Sequence, residues 1–435
     1  MAKPKVLTWQ QRDDRLRLFS SLRRSLISFF HRAVWNRLPR AYRRFALFRI
    51  MAFMAPRPSA RIVCTEKPII VAGFLSTASG LGEAARICLD TLRTSNIQAH
   101  GIDLSEPLMQ EGLRVRYEFA AGSRVSGPGT LILFVNPPLV PMALFHLGRR
   151  FIADKRIIGY WHWELPRLPH DWRNDAHYVH EVWVPSQFVA SAVRASTRIP
   201  VSVLPHAIPL RPVSDMARYR PSGVKLFVLT VFNFRSGFTR KNPLAAVAAF
   251  QKAFGRDQEM YLLIKTMDGL AHPTEWLQLT TAIADAPNIT LFDSVLPEPE
   301  ISGLIDTADI VLSLHRSEGF GLIAAEAMMR GKPVVATNWS GSTDFLNSWN
   351  GCPVDYELVP AIDPTGSYHQ PDQIWAEPQV EDAAKALRSL VDPGRRIALG
   401  ARAAKHAREL FGSSSYVATF SKLIKVDMSS IAKSG

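Results

Sequence analysis

From Lys67 onward, short apolar runs alternate with segments in which apolar residues recur every three or four positions. "KPIIVAGFL", "GTLILFVNPP", "KRIIGYWHWE", "HEVWVPS" and "VSVLPHAI" have strand length and strand composition. Between them, "STASGLGEAARICLDTLR", the region 142–152 and "PSQFVASAVRAS" carry helical spacing. The polar, proline-containing "PLRPVSDMARYRPSG" then interrupts the pattern as a linker would. Alternation restarts with "VKLFVLTVFNF", "MYLLIKTM", "ITLFDSV", "DIVLSLH" and "PVVATNW" as strands, separated by helices such as "NPLAAVAAFQKAFG" and "GLIAAEAMMRG". This pattern predicts an α/β chain with two Rossmann-like parallel-sheet domains. The expected division is a leader over 1–61, an N-terminal domain over 62–215, a C-terminal domain over 216–405 and a C-terminal helix over 406–435. Ligands bind such open sheets outside the carboxyl ends of the strands, so the cleft between the halves is the expected site.

Composition adds limits. The 435 residues, 47% apolar and 21% charged, suit a soluble two-domain protein. Cys64, Cys88 and Cys352 are widely spread, which argues for a reducing compartment and against a disulfide framework or zinc site. The histidines show no metal-ligand spacing, and no metal is expected.

Charge is unevenly placed. Residues 1–61 hold +13 of the net +14, which is not the distribution of a nucleic-acid-binding domain. In "RLRLFSSLRRSLISFFHRAVWNRLPRAYRRFALFRIMAFM" arginines interleave with bulky apolar side chains. That suits basic amphipathic helices on an anionic membrane surface; a solvated or subunit-docking extension is the alternative. No apolar run reaches the roughly 20 residues of a spanning helix. The expected location is the cytoplasm, on the inner face of a membrane if the leader anchors there.

Candidate chemistry concentrates in "HRSEGFGLIAAEAM", residues 315–328. "DIVLSLH" predicts a strand, so "RSEGFG" leaves its carboxyl end and a helix starts near Gly321 or Leu322. Glu318 then stands on the cleft loop and Glu326 about one turn into the helix. Glycines allow close backbone approach, and free helix N–H groups suit an anion. Two acceptors for hydroxyls beside an anion-binding helix end describe a sugar-nucleotide site. The plainer alternative is a surface loop acid and an ordinary first-turn acid. "NFRSGFTRKNP" adds Arg235 and Lys241, with Arg240 beside them, as cations able to clamp a diphosphate.

Together with "GKPVVATNWSGSTDFL", these segments resemble the donor-binding domain of retaining glycosyltransferases of the GT-B fold, family-4 type. "IGYWHWELP", "EVWVPSQFV", "RKNP" and "WAEP" resemble a bacterial branch associated with surface polysaccharide. The resemblance implies that Glu326 holds the donor ribose, and that Glu318 with the backbone of Gly319, Phe320, Gly321 and Leu322 holds the donor sugar and phosphate. Arg235 and Lys241 would neutralise the diphosphate, and Gly80 and Gly82 would approach it from the N-terminal domain. Family members place a histidine beside the donor sugar; here Asn136, or His162 with Glu164, occupies the corresponding strand ends. It also implies a nucleotide-diphosphate sugar as donor substrate, no cofactor, a lipid-linked or glycan acceptor, and no nucleic acid partner. "SYVATFSKLIKVDM" would be a helix crossing back to the first domain, or else a plain surface helix. Three functions compete: the transferase, a sugar-nucleotide epimerase on the same fold, and a non-catalytic sugar-binding scaffold.

The leader generates a prediction of its own. Each basic residue near an anionic leaflet contributes about 1 kcal/mol, and salt screens it. The full chain should co-sediment with anionic liposomes at low salt and be released by high salt. A chain starting at Thr65 should stay soluble and lose that binding. Equal liposome binding by both would assign the leader to docking on a protein instead.

Overall fold

The computed structural model describes residues 53–59, 68–110, 114–368 and 372–425. The leader assigned to residues 1–61 falls almost wholly outside the described residues. From Arg57 onward the chain forms a unit of its own.

Two six-stranded parallel sheets build this unit. The first uses β1 (Ile69–Gly73), β2 (Ala99–Asp103), β3 (Gly129–Phe134), β4 (Lys155–Tyr160), β5 (Glu181–Val184) and β6 (Val201–Val203), in the order β2-β1-β3-β4-β5-β6. The second uses β7 (Leu226–Val231), β8 (Met260–Thr266), β9 (Ile289–Asp293), β10 (Ile310–Ser313), β11 (Val334–Thr337) and β12 (Cys352–Val354), in the order β12-β11-β10-β7-β8-β9. β7 shows why its sequence opens on four apolar residues in a row, Leu226 to Leu229. Leu226 and Val228 enter the core on one face, while Phe227 and Leu229 enter the core on the other. Successive side chains point to opposite faces, so a strand covered on both sides carries no polar alternation.

The structure adds elements that the apolar pattern does not announce. β2, "AHGID", is an edge strand whose Gly101 admits the Phe119 ring; a Cβ there would lie 2.6 Å from it. The antiparallel hairpin of β13 (Tyr356–Pro360) and β14 (Ile374–Pro378) stands apart from both sheets. The helical region after β3 is split by Gly148 at φ 82° into Val140–Leu147 and Arg149–Ile152.

Helix Ser413–Ile424 packs into the core of the first half. Tyr416, Phe420 and Ile424, spaced four apart on one face, join Ile69, Val71 and Trp183. Its carboxyl end meets Arg156, which is 1% exposed. Arg156 donates to the carbonyls of Ile424 (2.7 Å) and Leu423 (3.3 Å), and its Nε to Glu181 (2.5 Å). A cation at a helix carboxyl end satisfies the last carbonyls and complements the helix dipole. The other carboxylate oxygen of Glu181 accepts from the Trp183 indole at 3.1 Å.

The chain passes between the halves at two places. The linker crosses near Ile208, whose N–H donates to the Phe411 carbonyl at 2.9 Å, just where the returning chain crosses. Arg211 then contacts Glu83 (3.1 Å) and Asp90 (3.7 Å) of the first half and Glu298 (3.7 Å) of the second.

Removing Arg156 should be costly. Arg156→Met leaves Glu181 buried without its partner, and such losses run to about 3–5 kcal/mol. Urea unfolding should show this drop, with faster amide exchange across 413–424. The double variant Arg156→Met/Glu181→Leu should recover much of it; an undiminished midpoint in the single variant would contradict the assignment.

Candidate functional site

The basic segment after β7 is shaped by two left-handed positions. Gly237 (φ 89°) and Asn242 (φ 51°) bracket a single helical turn, Phe238–Lys241. Asparagine tolerates that backbone region, and Pro243 is preset for the helix that follows. The turn aims Arg240 and Lys241 at one carboxylate. Lys241 Nζ donates to Glu318 Oε1, and an Arg240 guanidinium nitrogen lies 3.2 Å from Glu318 Oε2. Arg240 also donates to the carbonyls of Ser317 (2.7 Å) and Ser236 (2.8 Å) and lies over the Tyr368 ring. Arg235 stands apart. It is exposed on the flank and pairs with Asp268 at 2.9 Å.

Glu318 sits on the loop leaving β10. Its N–H donates to Ser340 Oγ at 2.8 Å, and its carbonyl accepts from the Gly341 N–H at 2.9 Å. Across the cleft, Ser186 Oγ donates to the Gly319 carbonyl at 2.6 Å. Glycine is required around this loop: a Cβ on Gly341 would lie 2.3 Å from the Gly319 carbonyl oxygen. Gly321 takes φ 99° to open helix Leu322–Met329, which has no side-chain cap. Its first-turn N–H groups therefore remain for an anion. Phe320 is buried against His206, Phe345 and Phe411. Burial pushes the Glu318 carboxyl up, but Lys241, Arg240 and His315 outweigh it and hold it at about 2. Burial pulls Lys241 below the usual lysine value, with Glu318 acting against it.

Glu326 lies on the same helix. It accepts from Ser302 Oγ and, at 3.2 Å, from Arg330 Nε, both at Oε1. Burial raises its carboxyl above the usual value, with Ser302 and Arg330 opposing. Ser302 Oγ also lies 3.0 Å from Glu298 Oε1, and Glu298 faces Arg211, which holds Glu83 beside the glycine loop of the first half.

In the first half, Ser79 caps helix Gly80–Thr94 by accepting from the Gly82 N–H at 3.1 Å. The two glycines differ. A Cβ on Gly82 would lie 2.5 Å from the Thr77 carbonyl, whereas one on Gly80 would meet nothing. Gly82 is thus needed for packing, whereas Gly80 borders open space. Asn136 and His162 come together: Asn136 Oδ1 accepts from the His162 N–H at 3.0 Å. His162 in turn meets His206, Nε2 to Nε2, at 3.0 Å. Glu164 accepts from the Tyr368 hydroxyl at 3.2 Å, which links it to the ring beneath Arg240.

The site thus gathers Lys241, Glu318, Gly319, Phe320, Gly321 and Leu322, reached from the first half by Ser186, His206 and Glu164. Arg235 lies at its edge. Sequence reasoning left Arg240 beside the clamp without a role and missed Tyr368, Ser302, Ser340 and His206. Asn242 before Pro243 marks the break that ends the turn, but nothing local singles out Arg240. Tyr368 carried no signal. Among the described residues, no group of three His, Cys, Asp or Glu side chains is placed to hold a metal.

Comparison with known proteins bears on the same region. The family described as "Glycosyl transferases group 1" matches residues 229–368. A D-inositol 3-phosphate glycosyltransferase of Rhodococcus jostii is 30% identical over 212 residues, covering 45% of this chain and 42% of that protein. Its counterpart in Corynebacterium kroppenstedtii is 34% identical over 215 residues, covering 47% and 43%. The chain therefore spans less than half the length of these relatives. Among solved structures, the Anabaena protein HepE in complex with UDP and glucose superposes with a TM-score of 0.57 at 14% identity, over 82% of this chain and 99% of that one. A glycosyltransferase from Rickettsia africae gives 0.57 at 16% identity, over 83% and 98%. Residues 229–368 thus resemble the group 1 glycosyl transferases, and the chain around them has the GT-B fold of these solved structures.

Proposed function

We propose that the chain is a retaining glycosyltransferase that moves a sugar from a nucleotide-diphosphate sugar to a lipid-linked or polysaccharide acceptor in cell-surface glycan synthesis. The observation that carries this reading is Glu318 held between Lys241 and Arg240 at the uncapped start of helix Leu322–Met329, with Glu326 one turn further on. Cations and helix N–H groups suit a diphosphate, and the two carboxylates suit hydroxyls on either side of it. Glu326 takes the ribose; Glu318 and the backbone of Gly319 to Leu322 take the sugar and its phosphate. Gly80 admits the donor from the other half, and Asn136, His162 and Glu164 face the sugar or acceptor. The exposed Arg235–Asp268 pair is worth about 0–1 kcal/mol, so a diphosphate can draw Arg235 away from it. Charge on the leaving phosphate grows in the transition state, and Lys241, Arg240, Arg235 and the helix end stabilise it without a metal. UDP and UDP-glucose are the first ligands to try, given what HepE was solved with. The leader would hold the enzyme on the inner membrane face, near a membrane-borne acceptor.

Measurements of binding and of activity test this. Glu326→Ala should weaken binding of UDP itself by roughly 1.5–3 kcal/mol, the worth of charge-assisted hydrogen bonds. Calorimetry that shows unchanged UDP affinity would remove Glu326 from the ribose.

Glu318→Gln should do the opposite. It keeps the shape but leaves Lys241 and Arg240 without a counter-charge, so bare UDP should bind about tenfold tighter, a change of about 1.4 kcal/mol, while sugar transfer is lost. Weaker UDP binding in this variant would contradict the shared use of those cations. Incubating the full chain with sugar nucleotide and no acceptor separates the alternatives: an epimerase converts the donor, a scaffold leaves it untouched with or without acceptor. Activity should survive EDTA.

A further inference from the structure

Behind the donor loop lies a row of polar groups to which the proposed reaction assigns only one member. The Tyr160 hydroxyl donates its single hydrogen to the Leu204 carbonyl at 2.6 Å. Its oxygen also lies 3.3 Å from His206 Nδ1, so Nδ1 must carry the proton and donate. Neutral His206 then offers only a lone pair at Nε2. That atom is 3.0 Å from His162 Nε2, so the proton between the rings belongs to His162. The reverse arrangement would set the bare Nδ1 of His206 against an oxygen whose hydrogen is already committed. His162 is left with an unprotonated Nδ1, which is buried and has no hydrogen-bond partner among the described residues. The rings are nearly parallel, at 11°. Burial holds both histidines below the usual value, His162 at about 4, so both are neutral near pH 7. The assembly adjoins the donor loop: His206 meets the Phe320 ring edge-on, and the Trp163 carbonyl would lie 3.1 Å from a Cβ on Gly319.

We propose that Tyr160 and His206 are positioning residues that fix His162 in its Nε2–H tautomer, so that Nδ1 stands ready to accept a hydrogen bond from a hydroxyl of the donor sugar. A buried acceptor of this kind favours a sugar that places a hydroxyl there and rejects one that lacks it, because the nitrogen would stay unpaired. The sugar contact rests on the transferase reading; the tautomer does not.

The test is a long-range ¹H–¹⁵N spectrum of the full chain labelled at histidine, near pH 7. His162 should show a protonated Nε2 and a bare Nδ1, and His206 the reverse. The opposite tautomers, or a doubly protonated ring, would overturn the proposal. Tyr160→Phe keeps the stacking on Phe134, whose ring lies 4.4 Å away, and removes the oxygen that sets His206. Both rings should then populate mixed tautomers; unchanged tautomers would remove Tyr160 from the chain of control. UDP-glucose should shift His162 Nδ1 while UDP leaves it in place. Bound UDP-glucose that leaves Nδ1 unmoved would refute the hydroxyl contact while sparing the tautomers. Failure to bind either nucleotide would count against the transferase reading itself.

Discussion

One carboxylate between two largely buried cations sets the terms for the cleft. Lys241 and Arg240 could not be held there without an anion, since burying a charge is expensive unless it is paired. Glu318 supplies the anion, and the surrounding loop exists to keep it in place. Ser340 takes its N–H, Gly341 donates to its carbonyl, and Ser186 reaches across from the other half to the next residue. Glycines stand where these backbones come too close for a side chain. On the proposed reading, an incoming diphosphate would meet cations already oriented and already neutralised, and would compete for them with a group fixed in the protein.

The first half contributes differently. Its polar groups near the cleft are mostly spoken for by one another: Asn136 by the His162 backbone, Tyr160 by Leu204, Glu164 by Tyr368. What it presents to a ligand is therefore a small number of atoms whose donor or acceptor character is already decided. The second half provides charge, and the first provides hydrogen-bond polarity.

The parallel architecture was legible because strands covered on both faces read as unbroken apolar runs, and β7 illustrates it. Glu318 and Glu326 were legible because a strand end, a glycine loop and a helix start impose fixed spacing. β2 was not, since an edge strand of "AHGID" has too few apolar positions to stand out. The β13–β14 hairpin was not, since Leu358 and Ile374 face solvent while the adjacent Trp375 and Ala376 are both buried, which leaves no clean alternation. Arg235 and Arg240 could not be ranked from spacing, because the two positive-φ positions around the turn decide which points inward. Tyr368 and His206 reach the site through tertiary contacts alone.

The return of helix Ser413–Ile424 to the first half means that the second half is, in connectivity, an insertion: the polypeptide enters it once and leaves it once. Those two crossings are joined by the hydrogen bond from Ile208 to Phe411. A body attached at two distant points is locked, and one attached at a single point can swivel freely. Two attachments side by side act as a door pin, which leaves rotation about one line as the cheapest relative motion of the halves. Arg211, with Glu83 and Asp90 on one leaf and Glu298 on the other, sits where such a door would be latched.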